Sequence, residues 1–459
     1  MKPGSTRFSA AAMARTLAWR DGEAITLAQC VAEATAFAER LPANGQPVNL
    51  CSDRYLFTLA LLAALLRGQT SLMPPNAMPH TLHQLGDPAS PAYALIDDAS
   101  QDTGGLRSFV VSRPAVAASG ATALQVNPLQ WVACLLTSGS TGAPQPQRKR
   151  WDALQLSIEA EASSLCALLD WPSIVGLNIV ATVPPQHSYG FESSVLLALL
   201  GGAAFDAGRP FYPADIAEAL TRLPRPRALV TTPVHLKALL LSGASLPPVD
   251  LVLSATAPLS PQLAQQAELQ LACRLIEIYG CTEAGQVAAR RTTATDVWTT
   301  LPGLNVESQL GDDGERFVVS GGHVLEATPL ADQLELIDAQ HFRLLGRAND
   351  LIHVAGKRSS LAHLNFHLNR IDGVDDGVFW LPEGVADGVV RLVAFVVAPT
   401  LSVRQIIAAL RPRVESAFLP RRVIHVEALP RQATGKITEQ ALREFALRTL
   451  AQADRHRAP

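Results

Sequence analysis

The chain has 459 residues, 48% of them hydrophobic and 17% charged, and its net charge is −3. That is enough for two or three domains with a large apolar core and too apolar for disorder. The near-neutral balance offers nothing to attract nucleic acid or an acidic membrane. The apolar run at 59–66 is far short of the roughly 20 residues that span a bilayer, so no membrane span is expected. The first residues, Met1-Lys2-Pro3-Gly4, lack the apolar stretch of a signal peptide. Six cysteines stand without CxxC spacing, which argues against a zinc site or disulfide framework and predicts a reducing, cytoplasmic setting. Only five basic residues are lysine (Lys2, Lys149, Lys237, Lys357 and Lys436). In a chain that defaults to arginine, a lysine marks a place that wants a compact ammonium.

In chain order, a strand at 48–51 precedes a helix at 55–66 whose apolar residues nearly encircle it, which predicts a buried helix. Strands at 177–183, 229–231, 251–253 and 275–278 alternate with helices at 191–200, 234–241 and 261–271. This alternation predicts an α/β fold with largely parallel sheets covered by helices. After about residue 300 the texture changes. Short strands at 316–319, 333–337 and 341–345, with Asp338-Ala339-Gln340 as a hairpin turn, predict a small barrel-like part. Beyond it a smaller α+β unit is expected: strand 351–354, helix 360–371, strands 378–381 and 392–397, helix 403–415, strand 423–426 and a terminal helix. The expected division is a large domain over 1–348 and a small one over 349–459, with a disordered tail at 453–459.

Four segments carry chemistry. The first is Leu135-Leu136-Thr137-Ser138-Gly139-Ser140-Thr141-Gly142-Ala143-Pro144, a strand running into hydroxyls and glycines. Such a loop can cradle phosphate oxygens, although alone it also reads as a flexible Ser/Gly loop. It has neither the closing Gly-Lys-Ser/Thr of a Walker A loop nor the pattern of a nucleophile elbow. The second is Ile278-Tyr279-Gly280-Cys281-Thr282-Glu283, at the carboxyl end of a strand where α/β sheets bind ligands. Glu283 suits Mg²⁺ beside phosphates, and the alternative is a tight turn with a solvated carboxylate. The third, 345–358, begins Leu345-Gly346-Arg347-Ala348-Asn349-Asp350, and the fourth, 429–437, ends Thr434-Gly435-Lys436-Ile437. Alone, each also reads as a basic surface turn.

In this order and spacing the four segments resemble the adenylate-forming superfamily of acyl- and aryl-CoA synthetases, adenylation domains and luciferases. The likeness extends from Asn49–Gly68 to Lys436, over nearly the whole chain. It implies an enzyme that joins a carboxylic acid to AMP and then passes the acyl group to a thiol, either coenzyme A or the phosphopantetheine of an acyl carrier protein. ATP and Mg²⁺ are the implied cofactors.

By the same resemblance Thr137, Ser138, Gly139, Ser140, Thr141 and Gly142 hold the ATP phosphates. Thr282 serves the α-phosphate, Glu283 holds Mg²⁺, Tyr279 stacks on adenine, and Asp332 and Arg347 meet the ribose. Lys436 is the catalytic lysine and Asn349 the hinge about which the small domain turns. His187, Phe191 and Gly280 line the acyl pocket. The physical logic is electrostatic: a carboxylate and ATP repel, and one fixed ammonium plus a divalent ion offsets that repulsion.

Departures are visible. Gln145 replaces the usual lysine, with Arg148 and Lys149 nearby to restore the charge. Ala255 and Thr256 stand where glycines are usual, Asn365 where an acid is usual, and Asp332 lacks the preceding Thr-Gly. The brevity of the chain and its 145–151 segment point to a stand-alone ligase of the aryl polyene or xanthomonadin pigment type, acting on an aryl acid such as a hydroxybenzoate. A medium- or long-chain fatty acid ligase and a divergent member that binds nucleotide or carrier protein without catalysis are the alternatives. A P-loop ATPase would release ADP instead of AMP.

Overall fold

The computed structural model describes residues 6–83, 85, 90–113, 124–138, 144–311, 314–347, 351–354, 357–382, 392–431 and 437–455. Helix α1, Arg54–Leu66, is capped by Asp53, whose carboxylate accepts from the Leu56 amide at 2.9 Å. Its residues Arg54 to Leu65 are all buried, because it packs against strands of both large sheets. A helix between two sheets has no solvent face, which is why its apolar residues encircle it. Arg54 is fully buried and donates to Ser194 Oγ at 3.0 Å and to the carbonyls of Ala181 and Val183 at 2.9 and 3.0 Å. Burial lowers its pKa to about 10.

The first sheet has six strands. Strands β1, Trp131–Ser138, and β2, Pro144–Arg150, pair antiparallel at one edge. The remaining strands, Ser71–Met73, Gln46–Asn49, Ala92–Ile96 and Ser108–Val110, continue parallel. Helix α2, Trp151–Leu169, follows β2 directly. A further helix runs from Ser188 to Leu199, with π geometry over Phe191–Leu196. Such bulges cluster at functional sites. Gly190 permits its entry, since a Cβ there would lie 2.1 Å from the Pro184 carbonyl oxygen.

The second sheet has eleven strands. At its centre β3, Leu251–Ser254, and β4, Arg274–Cys281, are parallel to each other and to strands Arg227–Thr231, Asn178–Ala181, Ala204–Asp206 and Thr16–Arg20. One wing turns antiparallel through β5, Gly285–Arg290, then Trp298–Thr300, then β7, His341–Arg347, and β6, Asp332–Leu336. The fold is therefore α/β with a parallel centre and antiparallel margins. A meander of three strands, Leu304–Gly311, Gly314–Gly321 and Val324–Leu330, forms the smaller β part.

From Leu351 onward a separate apolar cluster, including Leu364, Phe379, Phe418 and Ile406, packs under the Asp376–Trp380, Val393–Val397 and Arg422–His425 sheet. The helix expected over 403–415 ends at Leu410 and gives way to a 3-10 turn at Ser416–Phe418. The expected tail from 453 is corrected in part, because the terminal helix Glu439–Arg455 runs three residues into it. Composition gave no sign of three elements: the hairpin Thr16–Arg20/Glu23–Thr26, the helix Leu27–Ala38, and α2.

Candidate active site

Strand β4 is buried through Tyr279, and its register against β5 slips between Tyr279 and Gly280. The bulge demands glycine: a Cβ on Gly280 would lie 2.3 Å from the Gly285 carbonyl oxygen. Gly285 itself sits at φ +81°, in the left-handed region that favours glycine. Between them Thr282, Glu283 and Ala284 form the turn, with Glu283 exposed and Thr282 half-buried at the carboxyl end of the strand. Lys149, on β2, donates its ammonium to the Glu283 carbonyl at 3.0 Å. A cation thus stands beside the proposed catalytic carboxylate despite Gln145.

A cleft of about 280 Å³ opens there, lined in part by Lys149, Ser157, Glu192, Glu283 and His323. Glu192 is 2% exposed. It accepts from Ser188 Oγ at 2.6 Å and from the Gln286 amide at 3.1 Å. Burial raises its pKa while Lys149 opposes the rise. His323 is buried, and neither ring nitrogen has a hydrogen-bond partner among the described residues. Burial, reinforced by Lys149, lowers its pKa to about 4, so its imidazole is neutral at physiological pH.

Several residues named from the sequence come together. Asp332 and Arg347 are direct partners in the β6–β7 register. The Tyr279 hydroxyl donates to Asp332 Oδ2 at 2.8 Å, and its ring, 8% exposed, lies 5.7 Å from both Trp298 and Phe342. Thr137 and Ser138 end β1, so the following loop leaves from a strand end. His187 is half-buried at the start of the Ser188 helix. Phe191, expected in the acyl pocket, is fully buried and packs edge-on to Phe57, a core residue with no accessible surface. Gly139, Ser140, Thr141, Gly142, Asn349 and Lys436 lie outside the described residues. Thr256, standing where glycine is usual, has φ +80°, a conformation a β-branched residue rarely adopts.

Sequence reasoning passed over Ser157, Glu161, Glu192 and His323. One signal was available: Glu192 is the one charged residue in the helical stretch 191–200, and a lone carboxylate there needs a reason. Among the described residues, no three His, Cys, Asp or Glu cluster as a metal site. A single exposed carboxylate such as Glu283 nevertheless suits Mg²⁺, which takes one or two carboxylates and completes its shell with phosphate oxygens and water. None of the described helices is long and apolar enough to cross a membrane.

The parallel-centred double sheet followed by a small α+β unit defines the adenylate-forming class. Residues 7–323 match the model of the AMP-binding enzyme family, so the chain belongs to that family. It is an AMP-forming acid–thiol ligase of a class whose cofactors are ATP and Mg²⁺. A 4-coumarate–CoA ligase of Rhodobacter capsulatus is 31% identical over 304 residues, covering 65% of this chain and 73% of that protein. A second, from Halorhodospira halophila, is 30% identical and covers 52% and 56%. Among solved structures, ATP-bound MatB from Rhodopseudomonas palustris superposes with a TM-score of 0.78 at 19% identity, covering 94% of this chain and 96% of that one. The anthranilate CoA ligase AuaEII in complex with anthranoyl-AMP gives 0.74 at 16% identity, covering 96% of each.

Proposed function

We propose that this enzyme activates a compact carboxylic acid, an aryl acid such as a hydroxybenzoate, as its acyl adenylate. It then transfers the acyl group to the thiol of coenzyme A or of an acyl carrier protein. The observation that carries the reading is the Thr282–Glu283 turn at the carboxyl end of β4, set over a cleft and backed by Lys149. Two of the relatives are named for an aryl acid, 4-coumarate, which favours the aryl class over a fatty acid. A pigment pathway of the aryl polyene kind remains the proposed setting.

In this reading the loop from Thr137 to Gly142 cradles the ATP phosphates, and Thr282 donates to the α-phosphate. Glu283 holds Mg²⁺, whose contribution when bound is to neutralise phosphate charge. Asp332, oriented by Tyr279, takes the ribose hydroxyls opposite Arg347. His187 and Gly280 border the acid. Lys436 is brought to the reacting oxygens by the small domain, taken as 349–459, turning about Asn349. An ammonium at 4 Å from a unit negative charge contributes about 4 kcal/mol at an effective dielectric near 20. Realised only in the transition state, that is about three decades of rate.

Acid-dependent ATP–pyrophosphate exchange tests the assignment directly. Lys436→Ala should lower exchange about 1000-fold while changing thiol transfer from preformed acyl adenylate far less. Equal losses in both steps, or exchange with no acid at all, would overturn the reading.

A further inference from the structure

Behind the cleft lies a buried polar cluster that the chemistry at Glu283 does not use. Three elements build it. Glu161 is one turn beyond cleft-lining Ser157 on α2, and residues four apart share a helix face. Ser193 follows cleft-lining Glu192 on the π segment, and Gln286 follows cleft-lining Gly285 on β5. Glu161 is 0% and Gln286 4% exposed. The Ser193 hydroxyl donates to Glu161 Oε1 at 2.8 Å, and the Gln286 amide nitrogen donates to Ser193 Oγ at 2.9 Å.

The chain of bonds stops there. Among the described residues, Glu161 Oε2, Gln286 Oε1, the Ser157 hydroxyl and the Tyr189 hydroxyl are buried and have no hydrogen-bond partner. Tyr189 is half-buried as a residue while its hydroxyl is buried, and burial together with the nearby Glu161 charge holds that hydroxyl well above its ordinary pKa, which places it beside Glu161. Unmet buried polar groups are costly, and native proteins tolerate few of them. Three of them, on Glu161, Gln286 and Tyr189, call for an occupant that supplies the missing bonds.

We propose that the acid substrate carries a hydroxyl or amino group at the end remote from its carboxylate, and that Glu161, Gln286 and Tyr189 recognise that group. The inference rests on the acid-activating role proposed above. The donor and acceptor inventory fits. Burial pushes the Glu161 carboxyl up to about 8 against the opposing pull of the neighbouring Ser193 and Gln286 side chains, with Glu192 adding to the rise, so at neutral pH it is largely protonated and can both donate and accept. Gln286 Oε1 accepts only, and the Tyr189 hydroxyl does either. A hydroxyl, with one donor and two acceptor sites, satisfies three such groups at once. A plain hydrocarbon end would leave all three unmet, and a second carboxylate would meet Glu161 and Glu192.

Sites built to hydrogen-bond a substrate group reject analogues lacking it far more strongly than apolar pockets reject a missing methylene. The test is pyrophosphate exchange with matched acids: benzoate against 3- and 4-hydroxybenzoate and 4-aminobenzoate, cinnamate against 4-hydroxycinnamate. A substituted acid should exceed its parent by about 100-fold or more in kcat/KM. Glu161→Leu should lower that ratio at least tenfold, by raising KM for the substituted acid and lowering it for the parent, with KM for ATP unchanged. Glu161→Gln, which keeps the shape and the Ser193 bond, should fall between. Equal use of substituted and parent acids, or a ratio untouched by Glu161→Leu in a folded variant, overturns this inference and leaves acid activation standing. Exchange with no acid overturns both.

Discussion

Two buried carboxylates flank the β4–β5 hairpin, and they are treated in opposite ways. Glu277, on β4, is 4% exposed and saturated. Its Oε2 accepts from Arg290 Nε at 2.9 Å, Arg290 Nη2 at 2.7 Å and Thr292 Oγ1 at 2.9 Å, and its Oε1 accepts from the Leu259 amide at 3.1 Å. Arg290 in turn lies over the Trp298 ring at 4.3 Å. Glu161, against β5, has Ser193 on one oxygen and no partner for the other among the described residues. The first is a rivet that locks the strands beneath Tyr279. The second is an incomplete network whose completion is left to a ligand. Burial alone does not separate structural from functional acids, whereas hydrogen-bond satisfaction does.

The sharpest way to break this comparison is to remove a partner on each side. Arg290→Ala strands a buried carboxylate, which costs about 3–5 kcal/mol. Denaturant unfolding should show that loss, and a variant as stable as the parent would deny the rivet. Glu161→Leu removes an acid already short of partners. Its expected effect is smaller, because a single hydrogen bond is at stake: the Ser193 hydroxyl loses its acceptor, at about 1–3 kcal/mol. A loss as large as that of Arg290→Ala would mean that Glu161 is structural after all.

How much of this was legible in the sequence follows from how local each feature is. Tyr279, Gly280, Thr282 and Glu283 lie within five consecutive positions, and their arrangement is fixed by one strand end and one bulge, so the residues announce it. The Tyr279–Asp332 bond and the Asp332–Arg347 pairing required a hairpin whose turn, at Asp338 to Gln340, was also readable. Glu161 and Gln286 meet across 125 positions, and no periodicity encodes that meeting. Helix α2 was missed for a related reason: its buried face carries Ser157 and Glu161 among Ala153, Leu154, Ile158 and Leu165. A polar cavity wall erases the apolar stripe by which a helix is recognised. The same polarity that hid the element marks the site.

The smallest effect is the most specific one, because it reads the proton on Glu161 without changing the shape of the core. Its folded pKa, about 8, lies above the ordinary carboxyl value of 4.5. Between those values the native state binds the proton more tightly than the unfolded chain does. The stability it contributes is therefore fully present below pH 4.5 and is lost as pH rises through 8, with a slope of at most about 1.4 kcal/mol per pH unit from this one group. Glu192 and Tyr189 face the same cluster but remain in place in both proteins compared. Glu161→Gln keeps the acceptor for Ser193 and cannot titrate. Its unfolding free energy, measured from pH 5.5 to 8, should fall less steeply than that of the parent, and the two curves should lie nearest each other at the acid end. Parallel curves would mean that Glu161 is ionised throughout that range. The carboxyl could then only accept, and recognition of the remote substrate group would fall to the Tyr189 hydroxyl and the Gln286 oxygen.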